Sequence, residues 1–334
     1  MSADNAAVLG RMISGYATSQ VVYVIAKLGI ADLLVKESQT TQQLAAATQT
    51  KPDFLFRVLR AAASVGLLAE GPARTFSLAP LGEMLRTDVE HSQAAFALMM
   101  GEEHYYVYGE LLHALKTGEN AFEKLYKMPI FEFLSAHPEK GKIFDSAMTS
   151  IHGRETAAVL DAYDFSQFAT LADIGGGNGT KLMAILGRNP ALKGILYDLP
   201  QVVERAAPRF AAAGLAERCR LISGDFFQEV PPGADAYLMR HIIHDWDDEK
   251  SLTILRNCHR AMKSGAKLLL VESVIPPGNE PMGAKFLDLT MMLIPGGLER
   301  TEAQFRELYE QAGFELTRIV PTTTEISVLE GIKK

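Results

Sequence analysis

The chain has 334 residues, is 48% hydrophobic and 22% charged, and carries a formal net charge of −7. That length holds two domains with real cores, and the composition is that of an ordinary globular protein. The acidic balance, with a pI near 5.7, implies no general affinity for nucleic acid or anionic membrane.

The opening MSADNAAVLGRM has neither the basic start nor the long apolar core of a secretory signal. Apolar runs such as VVYVIA fall far short of the roughly 20 residues that span a bilayer. Cys219 and Cys258 are the only cysteines and form no metal-type cluster, so they are expected to be reduced core residues of a cytoplasmic protein.

Residues 1–95 are expected to be helical and then to form a hairpin. AAVLGRMISGYATSQVVYVIAKLGIADLL is an apolar opening helix, and TTQQLAAAT a short one. TKPDFLFRVLRAAASVGLL starts with Thr50 as cap, Pro52 in the first turn and Asp53 at the capping-box position. Phe54, Leu55, Val58, Leu59 and Ala62 follow helical spacing, and Gly66 ends the element. LLAEGPARTFSLAPLG gives two short strands around a Gly-Pro turn. Helices followed by a strand pair make a winged-helix pattern and raise DNA binding. Residues 1–90 contain eight Lys and Arg against eight Asp and Glu, without the clustered basic face that a DNA reader needs. Dimerisation is the better expectation.

Residues 96–165 are predicted to be helical and are rich in Met and aromatics, among them Met99, Met100, Tyr105, Tyr106, Phe131, Phe133 and Met148. Such side chains build a core, and some can line a pocket for a flat ligand. Over 166–334 the rhythm changes to strand and helix in alternation. TLADIGG, GILYDLP, CRLISGDFF, ADAYLMRHII and AKLLLVESVIP are near-continuous apolar strands separated by helices. That is the pattern of a parallel sheet covered on both faces. FELTRIVPT and TEISVLEGI follow the last helix as a terminal hairpin, which must add an antiparallel strand.

LADIGGGNGT sets Gly175, Gly177 and Gly179 directly after the first of these strands, where glycines bring backbone N–H groups close to a ligand. Asp198 follows 19 residues after Gly179, placed to accept hydrogen bonds from ribose hydroxyls. NAD and S-adenosylmethionine proteins both use such a loop, but the spacing is G-x-G-x-G rather than the dinucleotide G-x-G-x-x-G. Asp173, at the strand end, is expected to meet a ligand's ammonium group. Asp225 in SGDFF can accept from an adenine amino group while Phe226 covers the ring; a turn acid beside a core phenylalanine is the plainer alternative.

RHIIHDWDDEK puts His244 at the carboxyl end of a strand, where ligands bind in open α/β sheets. Glu272 in LLVESVIP and Glu299 in PGGLERTEAQ fall at equivalent edges. One histidine with two carboxylates is a general-base arrangement. A metal site would pair His241 with His244, but a strand-to-helix transition between them is expected to point them apart, and no third ligand is clearly placed. Asp247, Asp248 and Glu249 make the acidic first turn of a helix.

DIGGGNG, YDLP, GDFF, HDWDDE and PGGLERT stand in an order and spacing that resemble the small-molecule O-methyltransferases related to plant caffeate-type enzymes and to bacterial polyketide and phenazine tailoring enzymes. The resemblance covers nearly the whole chain. It implies an α/β fold, a Rossmann-like class I methyltransferase sheet of seven strands with the last antiparallel, and a winged-helix N-terminal domain that forms a homodimer. It implies S-adenosylmethionine as cofactor, a small hydroxylated aromatic or quinone-like substrate, and no metal. By position, Gly175, Asp198, Leu199, Asp225 and Phe226 would hold the cofactor, with Arg240 where relatives often carry lysine. His244 matches the base and Glu272 and Glu299 its flanking acids. Met148 and Met291 match methionines that sandwich the acceptor, and Asp245 a residue beside it. A relative class on the same scaffold hydroxylates or decarboxylates instead of methylating; retention of His244 with both glutamates argues for the transferase.

Overall fold

A computed structural model describes residues 3–334. The chain divides into two compact units, one built from the residues up to Glu110 with Glu132–Gly153, the other from Leu111–Phe131 with Arg154–Lys334.

In the first unit the opening apolar stretch forms the helices Ala3–Ile13, Gly15–Lys27 and Ile30–Leu33 rather than one. The first break falls at Ser14, whose Oγ donates to the Gly10 carbonyl at 2.9 Å. Helix Thr41–Thr48 opens with a capping box, the Thr40 hydroxyl accepting from Gln43 N–H and Gln43 Oε1 from Thr40 N–H. Helix Pro52–Ser64 departs from expectation. Its cap position is Lys51, without a side-chain bond, while the Thr50 hydroxyl lies 2.9 Å from that of Thr48. Leu55, Leu59 and Ala62 are buried, but Phe54 is 67% exposed. The expected strand pair, β2 (Leu68–Gly71) and β3 (Thr75–Leu78), gains an unforeseen third member, β1 (Gln39–Thr40), on the far side of β3.

The second unit holds a seven-stranded sheet. Its strands are β4 (Thr170–Ile174), β5 (Lys193–Asp198), β6 (Cys219–Ser223), β7 (Ala236–Arg240), β8 (Lys267–Ser273), β9 (Phe314–Pro321) and β10 (Ile326–Lys333). They lie in the order β6-β5-β4-β7-β8-β10-β9. Strands β4 to β8 pair in parallel, and β10 runs antiparallel to both β8 and β9. Side-chain alternation sends Ala172, Ile174, Tyr237, Met239, Leu268 and Leu270 into one core. Leu171, Ala236, Leu238, Leu269 and Val271 enter another. Both faces are therefore buried, which is why the strands are apolar without a polar stripe. The order reverses between β4 and β7, and the loops leaving those strands diverge there to open a crevice.

Candidate active site

The glycine loop leaves β4 directly into that crevice. Gly175 N–H donates to the Tyr197 carbonyl at 2.8 Å. A side-chain carbon at Gly175 would stand 2.5 Å from Ile242 Cδ1 and 3.6 Å from Phe226 Cε1, so its absence leaves a cradle between those two apolar groups. Gly177 has φ of 59° and open space where a side chain would be. A left-handed backbone with free space above it admits a ligand closely. Asp198, at the end of β5, clamps the loop: Oδ2 accepts from Gly177 N–H at 2.8 Å and Oδ1 from Leu199 N–H at 2.7 Å. Burial raises the Asp198 carboxyl above its usual range, and the two backbone donors oppose that rise. Leu199 stays 42% exposed beside it. Asp225 Oδ1 accepts from Phe227 N–H at 2.8 Å, and the Phe226 ring packs edge-on to Phe227 and Trp246. A half-buried acid with lone pairs to spare, a cradle and a planar ring fit an adenosyl group.

Asp173 departs from expectation. It is fully buried, with Lys181 Nζ 2.8 Å from Oδ1. A side-chain carbon at Gly176 would approach its Cγ to 2.9 Å. Asp173 therefore supports the loop from beneath and is not exposed to a ligand's ammonium group. Lys181 was missed because a lysine early in a helix is ordinarily solvated. Arg240 turns Nη1 onto the hydroxyl of Thr156, 2.8 Å away in helix Pro138–Ala162.

His244, Glu272 and Glu299 do come together, from the turn after β7, the end of β8 and the loop before helix Glu302–Gln311. His244 Nδ1 is 2.6 Å from Glu299 Oε1. Glu272 Oε1 accepts from Ile242 and Ile243 N–H at 3.2 and 3.0 Å, which fixes the turn carrying His244. Glu272 Oε2 lies 3.8 Å from Nδ1 of His244 and equally far from Nδ1 of His241. Asp245 Oδ1 is 3.6 Å from His244 Nε2. Burial alone would lower the imidazole's pKa, but the carboxylates of Glu272, Asp245 and Glu299 outweigh it and push it up to about 10. Burial in turn raises Asp245 to about 6, against the pull of His244.

The two histidines do not point apart. His241 has φ of 54°, a left-handed conformation that breaks strand alternation and brings its ring to 5.0 Å from that of His244. His241, His244 and Glu272 each bring a possible ligand atom to within 4.8 Å of the others. A cation held through His244 Nδ1 would have to compete with Glu299 for that atom.

Met291 is buried on helix Ala284–Leu293, its carbonyl accepting from Gly296 and Gly297 N–H. The loop then crosses His244, with Leu298 N–H donating to the His244 carbonyl at 3.0 Å. A side-chain carbon at Gly297 would stand 2.0 Å from that oxygen. Arg300, unremarked in the sequence apart from its motif, is buried and donates to the carbonyls of Ile243 and Trp246 and to Asp248. It staples the two loops that carry His244 and Glu299. Met148 is half-buried in helix Pro138–Ala162 and belongs to the first unit.

Residues 108–315 match the O-methyltransferase domain model and residues 11–88 the O-methyltransferase dimerisation domain model. The phenazine O-methyltransferase of Lysobacter antibioticus is 44% identical over 97% of this chain and 95% of that protein. Among solved structures, LaPhzM superposes with a TM-score of 0.95 at 43% identity, covering 98% of this chain and 99% of that one. The neocarzinostatin-pathway O-methyltransferase NcsB1, solved with S-adenosylmethionine and 2-hydroxy-5-methyl naphthoic acid, gives a TM-score of 0.86 at 30% identity over 95% and 96% of the two chains. The chain belongs to the O-methyltransferase family, with its class I sheet and N-terminal dimerisation domain. It is an S-adenosylmethionine-dependent O-methyltransferase. The dimerisation match includes helices that leave the apolar residues Met12, Ile13 and Tyr16 exposed. Among the described residues no helix is long and apolar enough to cross a membrane.

Proposed function

We propose that the enzyme methylates a hydroxyl of an aromatic or quinone-like small molecule of secondary metabolism, with His244 as general base and without a metal ion. The observation that carries this reading is the 2.6 Å contact between His244 Nδ1 and Glu299 Oε1. With Nδ1 held by a carboxylate, Nε2 is the nitrogen left to take a proton from the acceptor. A phenol with a pKa of about 10 is mostly protonated at neutral pH and needs that help. S-adenosylmethionine supplies, when bound, an electrophilic methyl on a positively charged sulfur, a charge that also opposes the proton on His244. Gly175, Gly177, Asp198, Leu199, Asp225 and Phe226 would hold it, with Asp173 supporting from below and Arg240 beside it. Met291, Asp245 and Met148 are the acceptor-side candidates. The aromatic acceptor is supported by the relatives, one named for a phenazine and one solved with a naphthoic acid.

The test is methyl transfer from labelled cofactor to a panel of hydroxylated phenazines and naphthoates, with and without a chelator. Turnover that survives the chelator is expected. Loss of turnover restored by one divalent cation would overturn the metal-free part, and labelling of no hydroxylated aromatic would overturn the acceptor class. Asp198→Ala is expected to weaken S-adenosylhomocysteine binding by about 1–3 kcal/mol in calorimetry, through a lost buried acceptor. Unchanged affinity would remove Asp198 from the cofactor site.

A further inference from the structure

The His241 side chain, 8% exposed, has no part in the mechanism above, and its backbone is strained. A non-glycine residue at φ of 54° is uncommon and persists only where its surroundings hold it. Here they do. His241 N–H donates to the Val271 carbonyl at 3.2 Å, and Nε2 lies 2.9 Å from Glu155 Oε2 in helix Pro138–Ala162. A carboxylate accepts, so Nε2 carries the hydrogen and Nδ1 the lone pair. Nδ1 faces Glu272 Oε2 across 3.8 Å, and that oxygen accepts no hydrogen bond among the described residues.

The groups around it decide its charge. Glu155 faces it from the helix; Arg240 precedes it; Lys181 and Asp173 lie beneath the glycine loop; His244, Asp245, Glu272 and Glu299 stand on the catalytic side. Burial, then the positive charges of His244, Arg240 and Lys181, hold the His241 imidazole well below the usual histidine range and therefore neutral. A neutral ring in this tautomer sets a lone pair against Glu272. At 3.8 Å this is an electrostatic contact, beyond hydrogen-bond length. An O–H on Oε2 turns its positive end to the lone pair, whereas a carboxylate sets charge against it.

We propose that His241 is a positioning residue for methyl transfer: fixed by Glu155, its lone pair raises the proton affinity of Glu272, so that the negative charge this carboxylate turns on His244 is weakened and the base gives up its own proton more readily. The inference rests on the general-base reading of His244. It also accounts for the strain, since only the left-handed turn carries the ring from the strand edge to the face of His244.

The test compares native enzyme with His241→Asn, because asparagine tolerates the left-handed backbone but is too short to take the ring's place. Two readouts are taken: the titration of the His244 imidazole by NMR of histidine-labelled, cofactor-free protein, assigned among the eight histidines with His244→Ala, and the acid limb of kcat against pH. Loss of His241 is expected to move both upward by about one pH unit, the size of one added charge interaction, with a tenfold lower rate on the acid side. Glu155→Ala frees the tautomer and is expected to move both in the same direction by less; it carries the test if His241→Asn does not fold. An unmoved His244 titration in the folded variants overturns the proposal and leaves His241 a packing residue. A native enzyme with no acid limb in kcat would instead overturn the general-base reading, whatever the NMR titration does.

Discussion

His244→Ala is expected to lower kcat by about 10²–10⁴-fold on a phenol of high pKa, equivalent to about 3–5.5 kcal/mol of transition-state stabilisation. S-adenosylhomocysteine binding should remain near the native value, because the residues that clamp the glycine loop lie at β4 and β5 rather than at the turn after β7. The decisive comparison uses two acceptors. A phenol already ionised at assay pH has no proton to give, so its loss in the variant should be far smaller than that of the high-pKa phenol. Equal losses on both would mean that the alanine had disturbed the cleft rather than removed a base. Full activity on the high-pKa phenol would end the assignment.

Glu299→Gln is expected to cost on the order of 10²-fold in kcat while leaving the volume of the side chain unchanged. The reason is the tautomer. The carboxylate can only accept, which fixes the hydrogen on Nδ1 and leaves Nε2 basic; an amide can donate to Nδ1 and leave the hydrogen on the wrong nitrogen. The sign of the pH effect follows from the charges. Glu299 is one of the anions holding the His244 pKa up to about 10, so its neutral replacement lowers that pKa. The acid limb of kcat should then move to lower pH, opposite to the direction expected on loss of His241. A rate loss with an unmoved limb would show that Glu299 shapes the loop and does not act on the imidazole.

Much of the site was legible because parallel strands buried on both faces end abruptly in polar residues. Asp198 follows Tyr197, Arg240 follows Met239, and Glu272 follows Val271, so the rim of the crevice can be read as the first polar residue after each apolar run. His244 and Glu299 were legible as residue types, but which acid holds the ring is a fact of loop packing, set by Arg300 and by the approach of Gly297 to the His244 carbonyl. Asp173 and Lys181 were not legible as a pair, because residues on a strand and on the following helix meet only in the folded state. The left-handed turn at His241 carries no glycine or asparagine to announce it. Phe54 shows the limit of periodicity: it keeps helical spacing with Leu55 and Val58 and yet lies outside the core.

Strand β10 lies between β8 and β9, although β9 is synthesised before it. Among the strands, β9 pairs with β10 alone, so it joins the sheet only through the later strand. In the meantime Arg306 of helix Glu302–Gln311 can hold β9 by its bond to the Leu316 carbonyl, 3.2 Å long. Until β10 arrives, β8 presents a row of unmatched backbone groups, a template for any neighbouring chain. Pairing of β10 with β8 is thus a non-local step on which closure of this edge depends, and crowding among partly folded copies is expected to bear most heavily on it.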